Sequence, residues 1–485
     1  MLFNSYTFIF YFLPVVFVVY FLLNKTKKTI FSRIWLVASS LFFYSWWNIA
    51  YLPLIVGSLV GNYIIGQRLP IIESISGKKK LLTIGIILNV LLLGYFKYYD
   101  FFLSNVNLAF KSDFPLLELA LPLAISFFTF QQIAYLVDAY RGETKGYNFI
   151  NYALFVTFFP QLIAGPIVHH AEVMGQFDDP AKKRINLNNI SKGLFIFFIG
   201  LFKKVVIADT FAVWATNGFD DSISLTFFDG WLTSLSYTFQ LYFDFSGYCD
   251  MAIGAALMFN IVLPINFNSP YKALNIQDFW RRWHMTLNRF LTNYLYIPLG
   301  GSRKGKVRTY INILIIFFVS GLWHGAGWTF VFWGLLHGFA SMINRFWKNR
   351  GFKLPTIVAW FITFQLVNFA WVFFRANTWS DAIKVLKGMF GFNGIALPDA
   401  MQQVINMVSP IQIAFSQAFL FNTITTVQVA VFVILGLFVV VRMKNSVELM
   451  NELQGEWKYV IWASVATVVS ILSLNRVSEF LYFNF

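Results

Sequence analysis

Arg303-Lys304-Gly305-Lys306-Val307-Arg308-Thr309-Tyr310-Ile311-Asn312-Ile313-Leu314-Ile315-Ile316-Phe317-Phe318-Val319-Ser320-Gly321-Leu322-Trp323-His324-Gly325-Ala326-Gly327-Trp328 is the stretch whose reading decides the fold. A cluster of cations runs directly into an apolar segment, and the segment ends on an imidazole flanked by glycines. Lys and Arg are retained on the cytoplasmic side of a membrane, so the run 309–323 reads as a helix that starts in the cytoplasm. His324 then falls toward the far half of the bilayer. His337 lies on the helix that returns from there.

The same pattern recurs along the whole chain. Apolar runs long enough to be spanning candidates fall near 7–23, 31–50, 52–66, 81–98, 116–137, 152–168, 193–213, 226–243, 249–264, 309–323, 327–343, 356–374, 425–441 and 458–474. The 485 residues are 58% hydrophobic and 12% charged, about half the charge of a soluble domain. The reading is an all-α polytopic membrane protein of 10 to 13 spans. The 152–168 run contains Pro160, Gly165 and Pro166, and the 286–300 run contains Pro298 and Gly300, with Gly301 directly after it. Irregular backbone is tolerated at membrane depth only inside protein or beside a cavity, so these pieces are expected to be re-entrant. Met1 to Leu23 lacks a positive n-region and reads as a retained first helix. No inverted repeat of the transporter kind is visible.

Net charge is +15. The cations sit in short loops between apolar runs, which excludes a nucleic-acid partner and assigns them to membrane orientation. Placing Lys25, Lys27, Lys28, Arg33, Lys78 to Lys80, Lys182 to Arg184, Arg303 to Arg308 and Arg345 to Lys353 inside leaves the N-terminus outside. It also leaves the long 376–424 connection outside, partly helical. The single cysteine, Cys249, forms no internal disulfide or thiolate cluster. Membrane lipids are the expected neighbours of the 59 Phe, 22 Tyr and 16 Trp.

Polar residues that persist in such a chain are the functional candidates. From Phe279 to Ser380 there is no Asp or Glu, yet three of the five histidines lie there: His284, His324 and His337. A carboxylate partner for any of them has to come from Asp244, Asp250 or Asp278. Histidine spacing gives no i, i+4 pair and no accompanying ligand set, so no metal and no bound cofactor is expected. His169 and His170 read as interfacial. At His324 a general base near neutral pH and a packed core histidine are both compatible with the spacing. In Asp278-Phe279-Trp280-Arg281-Arg282-Trp283-His284 the arginines can hold a phosphate, or they can anchor the cytoplasmic face. Pro264 to Tyr271 reads as an ordered loop.

At these residues the chain resembles the membrane-bound O-acyltransferase family, and within it the alginate O-acetyltransferase type, with the peptidoglycan type close by. The resemblance covers nearly all of 1–485 as one domain, with a core at about 120–375 and C-terminal helices over 376–485. It is carried by Phe159 to Ile167, Tyr242 to Gly254, Asn266 to Gly301 and Gly321 to Gly327. It implies that His324 is the catalytic histidine, that His284 is the second histidine at the cytoplasmic mouth of a central tunnel, and that re-entrant helices surround that tunnel. Arg281 and Arg282, with Asp278, Trp283, Asn288 and Trp323, form the candidate substrate- and donor-binding set. The chain departs from the family pattern at Asn288, Phe290 and Asn293.

The implied activity is that of a bacterial inner-membrane O-acetyltransferase. It takes acetyl from a cytoplasmic thioester, acetyl-CoA, and passes it across for O-acetylation of an extracytoplasmic polysaccharide, with an extracytoplasmic acetyltransferase partner. Composition rich in Phe, Ile, Asn and Lys places peptidoglycan or another envelope glycan level with alginate as acceptor. Two rivals stand beside this: D-alanyl transfer to teichoic acid by the same fold, and a transporter or flippase without covalent chemistry.

Overall fold

The computed structural model describes residues 1–26, 29–144, 146–398, 414–416, 423–453, 457–475 and 480–481. Lys27 and Lys28 of the first cationic cluster lie outside these, as do 399–413 and 417–422 of the long connection. In chain order the helices are α1 (Leu13–Asn24), α2 (Ile30–Ser45), α3 (Leu52–Arg68), α4 (Ile75–Leu93), α5 (Tyr99–Phe110), α6 (Ile125–Arg141), α7 (Phe149–Thr157), α8 (Phe159–Leu162), α9 (His170–Asp178), α10 (Leu187–Phe202), α11 (Asp209–Thr216), α12 (Phe227–Met258), α13 (Ile276–Arg282), α14 (Met285–Leu291), α15 (Lys306–His324), α16 (Trp328–Asn349), α17 (Thr356–Arg375), α18 (Trp379–Met389), α19 (Thr423–Arg442), α20 (Ser446–Asn451) and α21 (Trp457–Ser473). The strands found among the described residues are a short parallel pair, Ala396–Pro398 with Ala414–Ser416, in the long connection.

Among the described residues six helices are long and apolar enough to cross a membrane: Thr7–Asn24, Ile49–Arg68, Ile75–Phe110, Lys306–His324, Thr356–Arg375 and Thr425–Arg442. The chain is a multi-pass membrane protein. Its other apolar stretches are shorter, or carry polar groups whose partners lie inside the fold.

The core is built on α12, a single 32-residue helix buried along most of its length. Hydropathy alone divides this stretch into two spans, 226–243 and 249–264. The structure corrects that. A widened, π-helical turn at Lys203–Ala208 follows α10. It turns Lys203 onto Asp250 and Lys204 onto Asp244, each at 2.7 Å. With both carboxylates satisfied from the neighbouring helix, α12 runs through without a loop. The two helices touch backbone to backbone: a Cβ on Gly200 would stand 2.5 Å from the Gly247 carbonyl oxygen, so only glycine permits this approach.

A second expected span, 116–137, is also corrected. Residues 112–124 are not helical, and α6 starts only at Ile125. Pro115 and Pro122 interrupt the segment, and Glu118 and Ala124 take left-handed backbone, φ +48° and +61°. Asp100 holds this stretch by accepting from the backbone N–H groups of Leu117 (2.8 Å) and Glu118 (2.9 Å). The broken 152–168 run is the short pair α7 and α8 followed by irregular chain to Val168, all of it buried. Irregular backbone inside protein is what its prolines and glycine led us to expect.

Candidate active site

α15 and α16 pack as an antiparallel hairpin whose turn carries His324 and Gly325. A Cβ on Gly321 would lie 2.5 Å from the Phe330 carbonyl oxygen, so the two helices meet without a side chain between them. His324 is 2% exposed. Trp323, Trp333 and Phe374 box its ring at centroid distances of 4.9, 5.0 and 5.3 Å. Its Nδ1 lies 2.7 Å from the Ser320 carbonyl oxygen. A carbonyl can only accept, so Nδ1 carries the hydrogen, and in the neutral ring Nε2 holds the lone pair.

His284 comes from the joint between α13 and α14, where it takes left-handed backbone, φ +46°. It is fully buried, and its ring centroid is 6.2 Å from that of His324. The side chain that sets its tautomer is Asn266. The Oδ1 of Asn266 accepts from the Thr286 backbone N–H (3.2 Å) and from Thr286 Oγ1 (2.9 Å), and stands 3.2 Å from His284 Nδ1. An oxygen that accepts from a backbone N–H is the acceptor for the imidazole too, so Nδ1 again carries the hydrogen and Nε2 the lone pair. Asn266 Nδ2 in turn faces Cys249 Sγ at 3.4 Å, which ties the loop to α12.

His337 has the opposite arrangement. The Trp280 indole N–H, which can only donate, points at its Nδ1 from 3.3 Å, so the neutral ring carries its hydrogen on Nε2. His337 is fully buried and packs edge-on to Trp333 at 5.1 Å. One aromatic cluster thus holds two imidazoles with Nε2 as acceptor and a third with Nε2 as donor.

The remaining candidates spread out from this pair. Trp323 stacks on Phe130 at 5.4 Å and donates to the Ser126 carbonyl at 3.4 Å, so it forms a wall beside His324. Trp283 is turned into the core against Phe267, Phe279 and Trp371. Asn288 Nδ2 donates to the Trp280 carbonyl at 3.2 Å and braces the α13–α14 joint. Arg282 is paired with Asp278 at 2.9 Å, whereas Arg281 is exposed. Asp244, Asp250 and Asp278, considered as carboxylate partners for a histidine, are thus engaged by Lys204, Lys203 and Arg282.

The same elements are locked at one end by a polar cluster. Asp138, at the end of α6, accepts from Tyr294 Oη (2.7 Å), and its Oδ2 lies 2.9 Å from His169 Nε2 and 3.2 Å from His170 Nε2. His170 is buried within the protein. These residue types can bind a divalent ion, and the Arg141 guanidinium stands 3.8 Å from Asp138 Oδ1. Beside them Glu172 and Arg289 form a two-pronged pair, 2.5 and 2.8 Å, that fastens α9 to α14. Partial burial works to raise the Glu172 carboxyl. The guanidinium and the His169 backbone N–H outweigh it and hold the group below the usual carboxylate range.

Sequence reading passed over Asn266, placed in an ordered loop, although a buried amide between two prolines could have signalled it. It also left Trp333 and Phe374 among the general aromatic background.

The fold is that of a multi-pass, helical membrane protein, with His284, His324 and His337 buried inside the helix bundle. The chain belongs to MBOAT, the membrane-bound O-acyltransferase family, whose pattern matches residues 75–377, and it is an acyltransferase. It is 50% identical to the "Peptidoglycan O-acetyltransferase" of Helicobacter pylori, over 100% of this chain and 98% of that protein. It is 39% identical to the "Probable alginate O-acetylase AlgI" of Pseudomonas aeruginosa, over 81% of this chain and 75% of that one. The "Teichoic acid D-alanyltransferase" of Bacillus subtilis is 28% identical over 53% of this chain and 69% of its own length.

Proposed function

We propose that the protein is an inner-membrane O-acetyltransferase that moves acetyl groups from a cytoplasmic thioester, acetyl-CoA, to an extracytoplasmic polysaccharide, with peptidoglycan as the acceptor. The observation that carries this reading is the pair His284 and His324, 6.2 Å apart and both arranged as Nε2 acceptors. Full-length similarity at 50% identity to a peptidoglycan O-acetyltransferase supports the acceptor, and the much shorter match to D-alanyl transferases ranks that cargo below acetyl.

In this mechanism His324 Nε2 takes the proton from an acceptor hydroxyl as the oxygen attacks the acetyl carbonyl. The new C–O bond forms, the C–S bond breaks, and the departing thiolate receives the proton from His324. His284, on the side of the donor, orients the thioester. The acceptor hydroxyl belongs to the glycan or to an extracytoplasmic partner that relays the group. Arg281, exposed on α13, is suited to the phosphates of the donor.

Inside-out membrane vesicles supplied with acetyl-CoA labelled in the acetyl group test this. Label should reach envelope polymer or a partner protein with the wild type. With His324→Ala, transfer should fall by about 10²-fold or more while the protein remains inserted and folded. Undiminished transfer by a folded His324→Ala protein would sink the assignment. Acceptance of a D-alanyl thioester in preference to acetyl-CoA would move the cargo to the rival reading.

A further inference from the structure

Lys97 is a cation in the middle of an apolar run, and orientation by loop charge gives it no role. A lysine in a spanning helix ordinarily stretches its ammonium out to the membrane surface. Lys97 does the reverse. It sits in a π-helical turn, Gly94–Tyr98, between α4 and α5. Its Nζ turns inward to three acceptors: the Trp323 carbonyl at 2.6 Å, Ser126 Oγ at 3.3 Å and the His324 carbonyl at 3.5 Å. An ammonium has three N–H groups, and these acceptors match them. The next residue, Tyr98, donates from Oη to the Leu322 carbonyl at 2.7 Å. Among the described residues no Asp or Glu lies within ion-pair distance of Lys97.

All three carbonyls belong to the last turn of α15. Such carbonyls have no partner within their own helix. They also form the negative end of the helix dipole, where a cation is stabilising. After His324 the chain leaves the helix at once, with Gly325 extended at φ −161°, ψ 147°. The backbone that carries the reactive imidazole is therefore held from outside its own helix, and Lys97 and Tyr98 hold it. Trp323 closes the arrangement, because its indole N–H donates to the carbonyl of the same Ser126 whose hydroxyl meets Lys97.

We propose that Lys97 is a positioning residue for acyl transfer: its ammonium caps the carboxyl end of α15 and fixes the backbone at Trp323 and His324, so that the imidazole stays in register with His284. The proposal rests on the reading of His324 as the base. It predicts a loss in turnover rather than in donor binding, because the acceptors it holds are backbone groups and not substrate.

The test uses the full-length protein in inside-out vesicles, with labelled acetyl-CoA as donor and release of CoA thiol as a second readout. Lys97→Met keeps the length of the side chain and removes the charge and the donors. It should lower kcat by about 10- to 100-fold and leave KM for acetyl-CoA within about twofold. Lys97→Arg, which keeps a cation with several donors, should recover most of that loss. A folded Lys97→Met protein with wild-type kcat overturns the assignment, and so does a raised KM with unchanged kcat. If Lys97→Met does not fold, Lys97→Arg decides. A folded arginine variant with near wild-type kcat supports the cap, and one as inactive as His324→Ala overturns it. His324→Ala run in parallel separates the two failures. Activity in that variant removes the reading of the base itself, whereas its inactivity beside an unimpaired Lys97→Met removes only the cap.

Discussion

A carbonyl oxygen cannot donate and an indole nitrogen cannot accept, and these two facts fix the protons on the buried imidazoles. Ser320 sets His324, Asn266 sets His284, and Trp280 sets His337 the other way. Of the three, Asn266 is the side chain whose contribution can be tested directly, because its amide oxygen is shared between His284 and Thr286. Asn266→Leu fills the space but removes the acceptor, and His284 is then free to change tautomer. Label transfer should drop by about 10²-fold, the scale on which a correctly held acid–base group contributes. Asn266→Asp keeps an acceptor oxygen at the same place and should retain more activity than the leucine variant. Equal loss in both, in proteins that elute as folded from size exclusion, would argue against control of the tautomer. At this scale the motifs around His284 and His324 were legible in the sequence. Asn266 and Lys97 were not, because their partners lie 18 and 227 residues away and only the fold brings them together.

Among the elements, α12 shows where reading by hydropathy fails. Two aspartates in an apolar run look like a loop, since a lone carboxylate in lipid is costly. They become compatible with one continuous helix once Lys203 and Lys204 arrive from the turn after α10. The cost of breaking such a pair is asymmetric. Lys203→Met leaves Asp250 buried, with Ser446 Oγ at 2.5 Å as its remaining partner. It should destabilise the detergent-solubilised protein by about 3–5 kcal/mol, read as a fall in thermal midpoint by fluorescence size exclusion. The double variant Lys203→Met with Asp250→Leu replaces the pair by apolar side chains and should recover most of that loss. A double variant no more stable than the single one would show that the pair does more than satisfy its own charges. The non-helical 112–124 segment failed for a related reason. Its side chains are apolar enough for a span, but two prolines and a pair of left-handed residues decide the backbone, and Asp100 secures it. The helices α15, α16 and α17, by contrast, are close to what apolar runs bounded by cations indicate, because their lysines and arginines lie toward the ends.

At the scale of the whole molecule, the proposed reaction brings an acyl donor and an acyl acceptor together from opposite sides of one hairpin turn. α15 begins beside Arg303, Lys304, Lys306 and Arg308 and ends at His324, so the imidazole stands between two compartments in the proposed orientation. That has an electrical consequence. In the proposed reaction each turnover would carry an acetyl group, formally an acylium cation, outward, while the hydroxyl proton of the acceptor would pass inward to become the proton of a thiol. The two displacements cancel, and every species that enters or leaves the site is unchanged in charge. Moving a full elementary charge through the membrane field would alter the balance by about 2.3 kcal/mol for each 100 mV. In proteoliposomes clamped with potassium and valinomycin, the rate of label transfer should therefore stay the same as the potential is varied. A steep dependence on voltage would mean that a charged intermediate crosses the field. Exchange of an acyl group for a proton would make polymer acetylation independent of the membrane potential, so a cell could keep modifying its envelope after that potential has collapsed.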